Sequence, residues 1–256
     1  MNLFQRHHYA AFDPPKPGQD DPGTRSEREA VHDALLELHE MLWPLIKRER
    51  WDLHHHWYEP AIVSSFHFVP RIVHHISAMW LSYGKSKEQL DFLKTIGGFD
   101  RRNPHLVDDY DGFYHHARIQ FLVRSSAFEC WLLLATHTSA YDRAYFLDQQ
   151  LMDQSGKDTF WRLVQPVIDK GFSYQVTDVT VEPEKTKRLR LDSRLSQSEL
   201  IKFVKRGRDG FYSGIVKEYR PDDPALDVSR IRDAMIANVM LLAPLYRFMA
   251  WRPGRR

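Results

Sequence analysis

Residues 115–137 constrain the fold more than any other part of this chain. Ala117, Ile119, Phe121 and Val123 alternate with Arg118, Gln120 and Arg124, and a period of two marks a strand with one apolar and one polar face. Ser125-Ser126 then supplies a short turn, and 127–137 (Ala-Phe-Glu-Cys-Trp-Leu-Leu-Leu-Ala-Thr-His) returns to the apolar and aromatic composition of a strand. The spacing predicts an antiparallel hairpin.

Other segments extend the pattern. Residues 61–69 and 72–83 are rich in Ile, Val, Phe, Trp and Tyr. Residues 172–181 alternate, with Phe172, Tyr174 and Val176 against Ser173, Gln175 and Thr177, and Phe211 to Tyr219 reads as a last strand. Between and around these lie helical periodicities. Val31, Leu35, Leu38, Leu42, Leu45 and Ile46 predict a helix over 26–50, with Ser26 as N-cap and Glu29 completing a capping box. Further helices are expected over 140–154, 158–170 and from Ser196 to Lys205. The stripe Ile231, Met235, Val239, Leu242 and Tyr246 predicts a long helix over 228–251. Strands and helices come in runs without βαβ alternation, which argues for an α+β fold: a mostly antiparallel sheet covered by the N-terminal and long C-terminal helices. Four prolines and two glycines within 13–24 forbid a helix there, so 1–25 is expected to be a proline-rich arm or tail and 26–256 a single domain. The stretch 97–112 reads as a long polar loop, of the length that is functional or disordered.

Composition excludes several classes. With 43% hydrophobic and 13% aromatic residues the chain is too apolar for disorder. Wholly apolar runs are short, Trp131 to Ala135 being five residues, far short of the ~20 that a membrane-spanning helix needs. A single cysteine, Cys130, excludes an internal disulfide and a thiolate metal site; it fits a cytoplasmic protein, as does an N-terminus without an apolar secretory core.

Catalytic signatures are mostly rejected on spacing. Gly84-Lys85-Ser86 resembles the end of a phosphate-binding loop, but Met79 stands where that loop needs its first glycine. There is no G-x-S-x-G, and none of the twelve lysines follows an acid by two positions, as a restriction-type nuclease centre would require. The fourteen histidines include the runs 54–56, 74–75 and 115–116, yet H-E-x-x-H is absent. Asp108, Asp109 and Asp111 with His105 lack the glutamate of a calcium loop. No metal site and no cofactor is predicted. Arg50-Trp-Asp-Leu-His-His55 has the R-x4-H spacing of a class of all-helical ribonucleases, which conflicts with the strands.

What remains is charge and one histidine grouping. From Lys185 to Arg208, nine basic residues face two acids, a local charge of +7 in a chain whose net charge is +2. Such a segment attracts phosphates, and aromatic residues just beyond it can stack on bases. Lys185, Lys187, Arg188, Arg190, Lys205, Arg206, Arg208 and Tyr212 are therefore the candidate nucleic-acid or phosphate-ligand surface, and a solvated basic loop and helix face is the competing explanation. The enzymatic alternative, a hydrolase or nuclease, places His115 or His116 as general base beside Trp80, Glu129 and His137 on the hairpin. Polar residues on the outer face of a half-buried sheet account for the same pattern without a ligand. A third reading is a protein–protein adaptor using the 97–112 loop or the arm, with a homodimer through the C-terminal stripe as a related option.

Lys205-Arg206-Gly207-Arg208-Asp209-Gly210-Phe211-Tyr212-Ser213-Gly214, the Pro-Asp-Asp-Pro turn at 221–224 and Leu242-Ala243-Pro244-Leu245-Tyr246-Arg247 together resemble the C-terminal part of the YktB-like proteins, a family of unknown function. Leu42-Trp43-Pro44-Leu45 and Met79-Trp80-Leu81-Ser82-Tyr83-Gly84-Lys85-Ser86-Lys87 fit the same order. The resemblance spans about 26–250 and implies an α+β fold; it assigns no catalytic residue.

Overall fold

The computed structural model describes residues 1–13, 25–56, 62–67, 76–95, 116–135, 141–178, 185–206 and 211–252. The prolines at 14–22 and the 97–112 loop lie outside the described residues.

The predicted hairpin is the centre of an eight-stranded antiparallel sheet. Strand β4 (Arg118–Arg124) and β5 (Ala127–Ala135) pair from Arg118↔Leu133 to Arg124↔Ala127. On one side β4 pairs with β3 (Ile76–Gly84), whose far edge is shared by β1 (His54–His55) and β2 (Val63–His67). On the other side β5 pairs with β8 (Phe211–Tyr219), then β6 (Ser173–Asp178), then β7 (Lys185–Arg190) as the terminal strand. The fold is α+β.

Alternation along the strands gives this sheet two different faces. Phe121, Val123, Phe128, Cys130, Leu132, Ile215 and Tyr174 point to one side and are buried. Against them lie α2 (Arg25–Arg48) and α7 (Ile231–Met249), whose predicted stripes are buried from Val31 to Ile46 and from Ile231 to Tyr246. The short helix α6 (Gln197–Val204) and α5 (Gln154–Val164) complete the layer. Burying a large apolar side chain contributes roughly 1.5–3 kcal/mol, so these two stripes dominate the packing. The N-terminal residues join the same core. Phe4 is buried and stacks on Phe128 with ring centroids 4.9 Å apart, next to α1 (Arg6–Ala10). The terminal amine reaches Asp227 Oδ2 at 2.6 Å.

Several boundaries differ from the sequence expectations, each for a local reason. Helix α2 spans Arg25–Arg48, so Ser26 lies in its first turn rather than at the position before it. The helix predicted over 140–154 is a short α4 (Tyr141–Ala144) running into a π-helical segment, Tyr145–Gln150. The next helix starts at Gln154, earlier than expected, because Asp153 caps it by accepting from Gly156 N at 2.7 Å. Helix α3 (Lys87–Thr95) follows the Gly84-Lys85-Ser86 segment and has no counterpart in the sequence expectations; Ser86 and Gln89 form a reciprocal capping pair at its start. Strand β7 escaped because Lys and Arg are weak strand formers and only pairing with β6 makes them one.

Gly214 sits where β8 crosses β5. A Cβ there would stand 2.1 Å from Leu132 O, a backbone atom that cannot rotate away. Gly214→Ala is expected to lower the urea unfolding midpoint by the equivalent of about 1–3 kcal/mol, the usual range for overpacking. An unchanged midpoint would show that the two strands can separate there at no cost.

Candidate functional site

The polar face of the sheet carries the hairpin candidates. Leu122 lies opposite both Trp80 on β3 and Glu129 on β5, placing Trp80 and Glu129 in one row across the strands. Glu129 is fully buried. Its Oε1 pairs with Arg124, and Trp131 Nε1 donates to its Oε2 at 2.7 Å. Glu218 stands directly opposite Glu129 on β8; it is 3.5 Å from Arg124, takes a 2.7 Å bond from Arg188 and a 3.2 Å bond from Gln175 Nε2. Two adjacent acids, Glu129 and Glu218, are thus held between Arg124 on β4 and Arg188 on β7, with Gln175 on β6 bonded to the second. Burial pushes the Glu129 carboxyl up, opposed by Arg124 and the Trp131 hydrogen bond and reinforced by Glu218.

The histidines do not join this row. His116 is buried one residue before Ala117, at the opposite end of β4 from Glu129's neighbour Leu122. Six residues of strand separate 116 from 122, roughly 20 Å at the usual rise. The proposed pairing of His116 with Glu129 is therefore not assembled, while His115 and His137 lie outside the described residues.

The basic segment is split by the strand it forms. Arg188 and Arg190 share the polar face with Gln175 and Ser173, their partners on β6, whereas Lys187 pairs with Val176 and points to the helical side. All three are exposed. Lys205 and Arg206 follow α6 on the helical side, with the Arg206 guanidinium 5.3 Å above the Phe203 ring. Tyr212 packs on the polar face with Trp131, Leu133 and Val216. Lys185 opens β7 opposite Asp178, and Arg208 lies outside the described residues.

Where His116 does belong is a buried clasp that sequence reading missed. Asp142, fully buried on α4, accepts from Ala117 N and from Trp251 N, each at 2.8 Å. Lys85 Nζ lies 3.0 Å from Asp142 Oδ1 and donates to Trp251 O at 2.5 Å, and His116 Nδ1 stands 3.5 Å from Oδ2. Burial alone would raise the Asp142 carboxyl, but Lys85, His116 and the Ala117 amide outweigh it and hold it well below the usual carboxylate range. Burial lowers the His116 pKa, opposed by Asp142. No periodicity marks this site, because its members come from four separate segments. Asp142→Asn leaves the Lys85 ammonium buried without its counter-charge and is expected to cost about 3–5 kcal/mol. Adding Lys85→Met should restore part of that loss in denaturant titrations; equal midpoints for the single and double variants would argue against the pair as the source.

A pocket of about 350 Å³ opens at the C-terminal end of α2. Its walls include Trp43 and Ile46 on the helix and Trp51, Leu53 and His54 on the turn that follows, with Lys47 and Arg50 beside them. Asp52 organises the wall. Its carboxylate takes bonds from Gln89 Nε2 at 3.1 Å, from Arg252 at 2.5 Å and from His54 Nε2 at 3.2 Å. Burial would raise this carboxyl, yet the His54 hydrogen bond, Arg252 and Gln89 together lower it. Arg50 and Asp52 both adopt positive φ, 51° and 59°. Behind the pocket, His39, Trp43, Tyr83 and His55 form an aromatic group, with His39 Nδ1 3.1 Å from Tyr83 OH.

Burial, helped by His55, lowers the His39 pKa to about 4 from its ordinary 6.5. The unfolded chain therefore binds a proton that the folded chain excludes across that window, and stability falls as pH drops from 6.5 towards 4. His39→Gln should flatten this part of the stability–pH curve; a slope unaltered by the substitution would assign the proton uptake to another group.

Among the described residues no group of three His, Cys, Asp or Glu side chains gathers to hold a metal ion. No helix there is long and apolar enough to cross a membrane. No family model matches the chain and no curated protein matches it.

Proposed function

We propose that this protein binds phosphate-containing ligands, nucleic acid foremost, along the edge formed by β7 and the end of α6. The observation that supports this reading most is the exposure of Lys187, Arg188 and Arg190 on a terminal strand. Arg188 is committed to Glu218, but Lys187, Arg190 and Lys205 have no carboxylate within ion-pair distance among the described residues. Unpaired cations release counterions when they meet phosphates, which is the main source of affinity for a nucleic-acid backbone. Tyr212 adds an aromatic surface next to the same strands. Lysine on an edge strand also blocks strand-to-strand aggregation, and a binding measurement separates the two roles.

Fluorescence anisotropy with single-stranded RNA and duplex DNA at low salt is expected to detect binding that weakens steeply with added salt, log K falling by about 0.7–0.9 per phosphate neutralised. Lys187→Glu with Arg190→Glu and Lys205→Glu should reduce affinity at least about tenfold and flatten the salt slope. Absence of binding to either nucleic acid at low salt would remove this reading.

A further inference from the structure

We infer that the pocket at the end of α2 is a second binding site, for a planar aromatic ring carrying a phosphate, with mononucleotides as the ligand class. The site is separate from the β7 edge and does not depend on it. A volume of about 350 Å³ falls in the range of small-molecule sites. Trp43 and Trp51 are half-buried, so each offers ring surface both to the core and to the cavity, and a nucleobase can stack on such a surface.

Charge selects the rest of the ligand. Lys47 and Arg50 are exposed beside the pocket and make no ion pair among the described residues. The acid of the wall, Asp52, is already committed to Arg252 and Gln89. The pocket therefore holds surplus positive charge next to aromatic walls. The C-terminal end of α2 opposes an anion with about half a negative charge, which two full cations exceed.

Neutralising the helix end would explain Lys47 and Arg50 without a ligand. It does not explain the turn. A non-glycine residue at positive φ is uncommon, and such positions cluster at binding sites. Arg50 in this conformation ends α2, as helices often do, but a second such residue, Asp52, follows across Trp51. Asp52 in turn orients His54: if Nε2 donates to the carboxylate, Nδ1 is left as the ring's acceptor. The turn thus places an aromatic, a cation and an oriented imidazole against one cavity.

Isothermal titration of the full chain with AMP, adenosine and inorganic phosphate tests this. AMP is expected to bind one per chain with a Kd below about 1 mM, and adenosine and phosphate each at least about tenfold more weakly. Trp51→Ala should weaken AMP about tenfold. Lys47→Glu with Arg50→Glu, at exposed positions whose circular dichroism should not change, should erase the preference for AMP over adenosine. Lys187→Glu with Arg190→Glu should leave AMP binding unchanged, whatever it does to nucleic acid. The inference is overturned if AMP, GMP, CMP and UMP all fail to bind at about 1 mM. It is equally overturned if the Lys47 and Arg50 changes leave binding intact, or if AMP binding disappears with the β7 substitutions.

Discussion

The Asp142 carboxylate joins parts of the chain that would otherwise have no reason to meet. It receives the amide that leads into β4, the amide of Trp251 at the end of α7, and the ammonium of Lys85 just past β3. A buried charge is tolerated only when paired and hydrogen-bonded, so each donor needs the others in place. The contact fixes the ends of two central strands and the direction in which the chain leaves the C-terminal helix. Its effect reaches further: Arg252, the next residue, extends to Asp52 and lies 5.5 Å above the Tyr246 ring. The clasp and the pocket wall are consecutive links of one polar chain.

The sheet between these features works as a divider. Its helical side is a continuous apolar core into which α2, α7 and the N-terminal Phe4 pack. Its other side is polar yet also largely buried, with Gln120, Arg118 and Gln175 all under 7% exposed. Buried polar groups must be satisfied, and the Arg124–Glu129–Glu218–Arg188 row does so across strands. This arrangement gives Glu129 a structural explanation: both of its oxygens are held by neighbours on the same face. Within that row two acids balance two arginines, and Arg190 adds positive charge on β7.

The two proposed binding regions differ in how they expose cations. The β7 edge presents them on an open strand, suited to an extended polyanion. The α2 pocket sets them beside tryptophans in a concavity, suited to a single small anion with a ring. They lie at opposite edges of the sheet order, since β1 follows the pocket turn and β7 ends the other side.

Alternation and helical stripes in the sequence determined the fold class, the hairpin register and both long helices, because apolar periodicity must match the surface it buries. The 117–123 and 231–246 patterns could have met only one kind of partner. The helix start was equally legible at Ser196, which caps α6 and is joined by Glu199 in a capping box, but not at Ser86, which follows a phosphate-loop-like Gly-Lys pair. Strand β7 was decided by pairing with β6 against local preference. Tertiary structure also decided the functional candidates. His116 was visible as a histidine, and its attachment to Asp142 rather than Glu129 was not. The +7 run was visible as charge, and its division between two faces followed from strand pairing. Asp52, Gln89 and Arg252 carry no common pattern, Gln89 and Arg252 lying 37 and 200 positions beyond Asp52 along the chain. Sequence periodicity records what each segment must bury. Which polar groups converge depends on how the segments cross, and only the tertiary structure decides that.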